Sequence, residues 1–353
     1  MRRKFFVIEM KEVFTGAALV AFGMLEGYSF LKCGMVSPQA VIDQMSFKSM
    51  IVMKLFVSAV GTSMVAQSAM DYLYPKQFAA SRRMSMTSVG YPRAMGGCFL
   101  LGIGMGLSGS GPTIIPAQLA SGAGNLPLVA AGALAGGTVY SLVEKTLFSA
   151  DTCTKPGAKN TIDARMATKY HRIAAPLGLA MVAATVALEQ VWSNAADQRS
   201  LGFDPSTMWN PILAGVVIGL NQIPLRVLAN HGQGGSTSVM NMIAWASGGK
   251  IAGQYRPTSV QGAAQWLYVW IGTSLGVYLG VKNLATGFTA PEGTAAERAF
   301  VGGALQIIGA RVAMGCTCGH GISGFSELSF QSIAAAASIF SGGIATAMVM
   351  KSF

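Results

Sequence analysis

The sequence RVAMGCTCGHGISGFSELSF, residues 311–330, carries the strongest indication of the fold, because four glycines and several polar residues interrupt an apolar segment. Glycines that serve close helix packing stand among apolar neighbours, whereas these alternate with Cys, Thr, His and Ser. The pattern predicts backbone that leaves the helix, which is tolerated at membrane depth only where it is buried in protein or lines a cavity. GLSGSGPT (106–113) and HGQGGSTS (231–238) predict similar breaks, while GALAGG (132–137) and SGGIATA (341–347) are typical of helix packing.

Composition indicates that lipid surrounds these breaks. Of the 353 residues, 52% are hydrophobic and 11% are charged, against about 25% charged in soluble domains. Stretches that are long and nearly free of charge cover 13–31, 49–70, 94–149, 173–193, 208–225, 263–281, 299–315 and 326–350. We therefore expect an all-α polytopic membrane protein in a single membrane domain, 1–353, with about nine spanning segments plus short re-entrant helices.

The formal net charge of +11 does not indicate nucleic-acid binding, because the basic residues stand in short connections without a basic run or an RNA-reading motif. Three basic clusters stand beside the early apolar segments. One precedes the first segment (Arg2, Arg3, Lys4, Lys11), one lies between the second and third (Lys76, Arg82, Arg83, Arg93), and one follows residue 149 (Lys155, Lys159, Arg165, Lys169, Arg172). Paired crossings would bring all three to one face, which the positive-inside rule makes cytoplasmic. We expect a multi-pass protein of the plasma (inner) membrane whose first segment is kept as an anchor.

The chain also looks doubled. Residues 12–149 and 208–350 each contain apolar segments, a glycine-rich break and a final apolar stretch, and 150–207 would be a connector with an extra helix. Cys33 precedes Ser110 by nearly as many positions as Ser236 precedes Cys316. A repeat with an odd number of crossings would be inverted, and one with an even number would not.

Broken segments at matching positions of two halves indicate a transport site near the midplane. In the first half, Ser110 and Thr113 are cap residues and Pro112 suits the first turn of a short helix. Such a helix would direct free N–H groups and a positive dipole end inward, as an anion site requires. The same geometry is expected near Ser326, with Ser329 and Gln331 following.

The spacing Cys316-x-Cys318-x-His320 invites a metal site, but no second Cys/His cluster exists and no Cys-x-x-Cys redox pair is present. Five cysteines are an odd number, which disfavours a disulfide framework. Cys98 and Cys153 are interpreted as small hydrophobes. A neutral Cys316 thiol beside exposed N–H groups would suit a sulfur-bearing ligand.

Other polar residues leave alternatives open. His320 binds ligand or bonds local backbone to fix the turn, and Arg311 is functional or a structural partner of carbonyls at a broken helix. Four acidic residues stand near the ends of apolar segments, where snorkelling or helix capping is enough to explain them: Glu26, Asp43, Glu144, Glu189. The sequence contains no ATP-binding or metalloprotease motif and no paired carboxylates within one apolar segment, so we expect neither an enzyme nor a cofactor.

The motif GARVAMGCTCGHGISG (309–324) resembles the signature of the YeeE/YedE sulfur-transport family, integral membrane proteins associated with thiosulfate uptake. GLSGSGPTIIPAQLASG (106–122) and WNPILAGVVIGLNQIPL with HGQGGSTS (209–238) extend the resemblance over nearly the whole chain. It implies a two-fold pseudo-repeat with short helices that do not span, and thiosulfate passing along cysteines by S–H contacts without covalent chemistry.

By position, Cys316 matches the third-motif cysteine and Cys33 the first-helix cysteine, while Ser110 stands where the family has its middle cysteine. Cys318 stands where a small residue such as serine is more usual, and would compensate for the missing thiol. The expected substrate path is therefore Cys33, Ser110 and Cys316. Secondary candidates lie in the same breaks: Gly109, Thr113, Gly235, Ser236, Arg311, Gly315, Thr317, Cys318, His320.

The resulting hypothesis is a passive or gradient-coupled transporter of thiosulfate or a related small sulfur anion. The alternative, motivated by Ser110, is a non-transporting membrane subunit that delivers sulfur to a soluble sulfurtransferase partner.

Overall fold

The fold of the chain is helical throughout the part that the structure describes. A computed structural model describes residues 2–85, 89–148, 160–283 and 288–351. Within those ranges there is no strand, and Thr161 and Ser329 form an isolated antiparallel bridge. The all-α prediction is confirmed, and Cys153, Lys155 and Lys159 lie outside the described residues.

Long helices alternate with short ones along the chain. The helices of the first part are α1 Arg2–Cys33, α2 Pro38–Met45, α3 Ile51–Leu73, α4 Pro75–Ser85, α5 Tyr91–Ser108, α6 Ile115–Ala120, α7 Leu126–Phe148 and α8 Ile162–Arg165. The remainder are α9 Tyr170–Val191, α10 Asn194–Ser200, α11 Pro211–Leu220, α12 Gln222–Ala229, α13 Gly235–Ala246, α14 Thr273–Asn283, α15 Ala296–Val312 and α16 Phe330–Lys351. A 3-10 turn covers Gly253–Tyr255, and π-helices cover Trp266–Gly272 and Thr317–Gly324.

Several of these helices are long and apolar enough to cross a bilayer. Among the described residues six meet this standard: Met10–Cys33, Ile51–Leu73, Leu126–Glu144, Tyr170–Val191, Pro211–Ala229 and Phe330–Lys351. A seventh candidate is the pair formed by α15 and the π-helix after it, which are bent by 48°. The chain is thus an integral membrane protein, and the number nine stays a prediction.

Glycines bring the backbones of packed helices into direct contact. A Cβ atom on Gly132 of α7 would overlap the carbonyl of Phe300 in α15, and one on Gly342 of α16 would overlap the carbonyl of Phe99 in α5. The packing role predicted for both glycine runs is therefore confirmed. Similar contacts join α1 to α14, α3 to α11 and α5 to α15.

The end of the bundle where α4 meets α8 is basic. Arg82 binds Asp163 at 2.7 Å and also donates to the carbonyl oxygen of Glu327 at 2.6 Å. Burial raises the pKa of Asp163, but the hydrogen bonds and charge of Arg82 outweigh burial and hold that pKa below its ordinary value. Arg93 donates to the carbonyl oxygen of Val312 at 2.9 Å. Arg82 of the second basic cluster is thus bound to α8, which carries Arg165 of the third.

The interpretation of Glu26 as a residue at a segment end is wrong. Its helix continues to Cys33, and the Glu26 side chain is fully buried, where its carboxylate accepts hydrogen bonds from Gln233 and Tyr268. Glu189 also has a buried partner, since the Nζ atom of Lys54 lies 2.6 Å from it.

Candidate functional site

The chain leaves the helix after α15, as the glycine pattern predicts. Met314 adopts a left-handed φ of 57°, Cys316 is extended, and the π-helix Thr317–Gly324 follows. A Cβ on Gly315 would overlap the His320 ring, so glycine is required for the close approach. We call residues 313–324 the second break.

His320 fixes the shape of the second break. One ring nitrogen, Nε2, lies 3.0 Å from the carbonyl oxygen of Ala313, and the other, Nδ1, lies 3.2 Å from the hydroxyl of Ser332. Both nitrogens therefore have partners within the protein, and the interpretation as a turn-fixing residue is realised.

The earlier break lies between α5 and α6, and we call residues 109–114 the first break. Gly109 ends α5 with a left-handed φ of 64°. The predicted start of the short helix is wrong: α6 begins at Ile115, with Pro116 rather than Pro112 in its first turn, and no side chain caps it. The reason is local, because the N–H groups of residues 114 and 115 both bond the carbonyl of Gly111 and form a turn first.

The cap expected at Ser326 is displaced in a similar way. The hydroxyl of Ser326 donates to the carbonyl of Ser323, whereas Ser329 accepts the N–H of Ser332 at the start of α16. The π-helix ends at Gly324 and a turn over residues 325–328 follows it, so that the new helix starts only at Phe330.

Two short helices begin against the first break. The backbone of Pro38, at the start of α2, touches Gly109, and Gly235, at the start of α13, lies against Thr113. Helix N-termini carry partial positive charge. Ser110 lies between these contacts in the sequence, is fully buried, and its hydroxyl has no hydrogen-bond partner. Pro38 faces Gly109 with its carbonyl oxygen and has no N–H group, so the start of α13 and the unpartnered buried hydroxyl of Ser110 are the groups that could receive an anion.

A cavity of about 270 Å³ opens beside the second break, and we call it the Cys316 cavity. Five of the predicted site residues line it: Ser236, Arg311, Gly315, Cys316 and His320. Cys316 lines the cavity and is only 1% exposed.

The guanidinium of Arg311 is the cationic group on the wall of the Cys316 cavity. It lies 4.6 Å from the centre of the Tyr255 ring and donates to the Tyr255 hydroxyl and, at 3.5 Å, to Thr237. Its Nε atom is buried without a partner. Arg311 therefore pairs with side chains rather than with broken-helix carbonyls, and part of its hydrogen-bonding capacity is available to a ligand.

A second cavity, of about 470 Å³, lies toward the other end of α16, and we call it the Pro38 cavity. Met350, at the end of α16, lines it, whereas Gln331 and Ser332, at the start of α16, line the Cys316 cavity. Pro38 belongs to the second cavity and also touches Gly109. At its other end the first break touches Gly235, which stands between the two cavity-lining residues Gly234 and Ser236, so the first break has contacts beside both cavities.

The remaining predicted residues line neither of these two cavities, and we call the first break together with Cys318 the closed zone. Cys33 is fully buried, with its Sγ 3.5 Å from the carbonyl of Phe30. Thr317 donates to the Met105 sulfur at 3.1 Å. The Cys318 thiol faces the Thr113 hydroxyl and lies near Cys316. The four described cysteines, Cys33, Cys98, Cys316 and Cys318, are free thiols.

Sequence reasoning missed a polar group beside this closed zone. Glu26, Gln233 and Tyr268 are bonded together there, and Glu26 lies near Cys318. The available signal was an ionisable residue inside an apolar segment, which is functional by default. Within the part of the chain that the structure describes, no group of three His, Cys, Asp or Glu side chains is placed to hold a metal ion.

Comparisons with known proteins agree with this architecture. The family model described as sulphur transport matches residues 33–345. A probable transporter of Xylella fastidiosa (strain 9a5c) is 32% identical over 153 residues, which are 41% of this chain and 96% of that relative. A probable transporter of strain Temecula1 / ATCC 700964 is 32% identical over 147 residues, again 41% of this chain and 96% of its own length. The chain belongs to the YeeE/YedE sulphur transport family of membrane proteins.

Proposed function

We propose that the protein moves thiosulfate or a related small sulfur anion across the plasma membrane, from the Pro38 cavity through the first break to the Cys316 cavity. The observation that carries the proposal is the buried, unpartnered hydroxyl of Ser110 between the starts of two short helices. The sulphur transport family gives the class of cargo. No covalent step is required.

The orientation of the path follows from charge. Asn160 and Glu327 line the Cys316 cavity, and the carbonyl oxygen of Glu327 is bound by Arg82 at the basic end of the bundle. Because Lys and Arg are concentrated in cytoplasmic connections, we assign the Cys316 cavity to the cytoplasmic side. The Pro38 cavity then faces the opposite side and collects the anion.

The donors along the path have complementary chemistry. Sulfur anions are large and polarisable, so a thiol meets their terminal sulfur as a weak, soft donor while a hydroxyl meets an oxygen more strongly. Ser110 therefore takes an oxygen of the anion, and Cys316 and Cys318 take its sulfur. Arg311, whose side chain lines the Cys316 cavity, receives the anion there through its positive charge.

We further propose an inverted pseudo-repeat, with residues 12–149 and 208–350 as its halves and nine spanning segments. Packing supports it, since α1 lies on α14 while α3 lies on α11, and α5 lies on α16 while α15 lies on α7. If each helix is replaced by its counterpart in the other half, the contact of α1 with α14 becomes that of α11 with α3. In the same way the contact of α5 with α16 becomes that of α15 with α7. Relatives that match 41% of this chain over 96% of their own length are about the size of one half.

Uptake of labelled thiosulfate into proteoliposomes tests the function, with wild type compared with Cys316→Ala. We expect Cys316→Ala to lower the initial rate about tenfold, which corresponds to about 1.4 kcal/mol of barrier. Cys98→Ala is the matched control, because it removes a buried thiol in the middle of α5 that lies on neither cavity. Equal rates in wild type and Cys316→Ala, or no uptake by wild type, would refute the proposal.

A second candidate is a non-transporting subunit that passes sulfur to a soluble sulfurtransferase. The hydroxyl of Ser110 favours it, because a serine interrupts the series of thiols that the family resemblance implies. A stable complex with a sulfurtransferase, together with no flux through the membrane protein, would establish this candidate in place of transport.

A further inference from the structure

The carboxylate of Glu26 is buried in a membrane-spanning helix, and no cation is paired with it among the described residues. Glu26 is fully buried in α1, one of its oxygens accepts from the Gln233 amide, and the other accepts from the Tyr268 hydroxyl. Both partners are neutral hydrogen-bond donors. A buried ionised carboxylate is normally paired with a cation, so this arrangement has no structural explanation as an ion pair.

The charged neighbours of Glu26 are few. On α12, which packs against α1, Arg226 is fully buried and lies 2.5 Å from Glu327, so its charge is committed elsewhere. The titratable groups that face Glu26 are Tyr268, from the π-helix packed against α1, and Cys318, from the second break. Within the described residues no Lys, Arg or His side chain is hydrogen-bonded to Glu26.

Glu26 is separated from the Cys316 cavity by a thin polar layer. Gln233 lines that cavity and bonds Glu26, and its backbone N–H donates to the Ser323 hydroxyl at 3.0 Å. Ser323 in turn donates to Gln222 at 2.8 Å. The Gln233 side chain thus links the carboxylate to the wall of the cavity.

The hydrogen bonds of Glu26 suit either protonation state. When the carboxylate is ionised, Tyr268 and Gln233 both donate to it. When it is protonated, its O–H can donate to the Tyr268 oxygen, since a phenolic hydroxyl is both donor and acceptor, while Gln233 keeps donating to the other oxygen. The site therefore needs no rearrangement of backbone to gain or lose a proton.

We propose that Glu26 binds the proton that couples anion movement to the proton gradient. The inference rests on the proposed transport function and names its driving ion. An ionised Glu26 beside Cys318 and Thr113 repels an anion in the closed zone, because like charges in a buried site interact strongly. The anion crosses while Glu26 holds a proton that entered from the side of the Pro38 cavity, and this proton leaves into the Cys316 cavity after the anion, so that proton and anion move in the same direction.

Proteoliposomes with a pH-sensitive dye inside test the coupling, with labelled thiosulfate as the probe. In wild type we expect thiosulfate to acidify the lumen, and we expect the uptake rate to rise by up to about tenfold for each pH unit of external acidification. Glu26→Gln keeps the size and polarity of the side chain, but its amide does not gain or lose a proton. It should exchange thiosulfate across the membrane at a rate independent of pH, without acidification.

Glu12→Gln is the matched control, because Glu12 is an exposed acid on the same helix. It should behave as wild type. Thiosulfate uptake by wild type without acidification or pH dependence overturns the coupling and leaves the transport function intact, whereas no uptake by wild type refutes the transport function itself. A stable Glu26→Gln protein that no longer exchanges thiosulfate, or one that still acidifies the lumen, also overturns the role of Glu26.

Discussion

The first and second breaks are both rich in glycine but have different structures. The first break turns tightly between α5 and α6 and is closed by the starts of α2 and α13, whereas the second break forms a π-helix and opens onto the Cys316 cavity. The first break has a hydroxyl at its centre and the second a thiol, at Ser110 and Cys316. A glycine motif therefore determines that the helix stops, and the elements packed against it determine whether the result is a constriction or a chamber.

The largest effect should come from filling the first break. Gly109→Ala places a side chain at a left-handed φ and against the carbonyl of Pro38, so we expect a loss of about 3 kcal/mol or more of stability, seen as a lower melting temperature in detergent. Gly202→Ala is the matched control, because Gly202 has a φ of 80° but no atom within 4 Å of its Cβ position. Equal losses in the two variants would contradict the close packing of the first break.

A smaller effect, on transport alone, should follow from changing the donor in the first break. Ser110→Ala should lower thiosulfate uptake about tenfold, as expected when one hydrogen bond to a charged ligand is lost. Ser110→Cys should retain uptake and make the two breaks alike. Ser108→Ala serves as a control, because its buried hydroxyl donates to the Gly104 carbonyl at 2.7 Å within α5. Unchanged uptake in Ser110→Ala would remove the first break from the path.

The smallest effect concerns the ion pair that holds the second break. Arg82 binds both Asp163 and the carbonyl of Glu327, just beyond the π-helix. Because the Arg82 interaction lowers the pKa of Asp163 despite burial, the pair stabilises the fold above the unfolded pKa of about 4 and loses this contribution as the pH falls through the folded pKa.

We therefore expect acidification below about pH 4 to lower the melting temperature of wild type by about 2 °C more than that of Asp163→Asn. Asp163→Asn lacks this charge, so the pH dependence of its melting temperature should reflect only the other titratable groups. The same acid response in both proteins would show that the pair does not hold the second break.

Much of the fold follows from local sequence, and the site follows less completely. The length of the apolar stretches predicts the helices, the glycines at 132–137 predict a packing contact, and the glycines at 315–324 predict a break. Each of these features depends on residues that are neighbours in the sequence. The start of α6 was mispredicted because the carbonyl of Gly111 captures two N–H groups in a turn, which competes with a cap at Ser110. That competition depends on backbone conformation and is not visible in residue types.

Glu26 shows a different limit. Its apolar segment was ended at residue 31, which placed the acid near the surface, but the helix runs on to Cys33. Its two partners, Gln233 and Tyr268, are far away along the chain. The environment of such a residue is set by tertiary packing, so a local pattern could identify Glu26 as unusual but could not supply its role.

The glycine contacts between long helices have a mechanical consequence. Where Gly132 meets Phe300, and where Gly342 meets Phe99, backbone lies on backbone with no side chain between them to adjust. Sliding one helix past the other would drive main-chain atoms together, so these helices form a stiff frame. We therefore expect motion during a transport cycle to occur in side chains and in the short helices at the centre, with little sliding between these long helices.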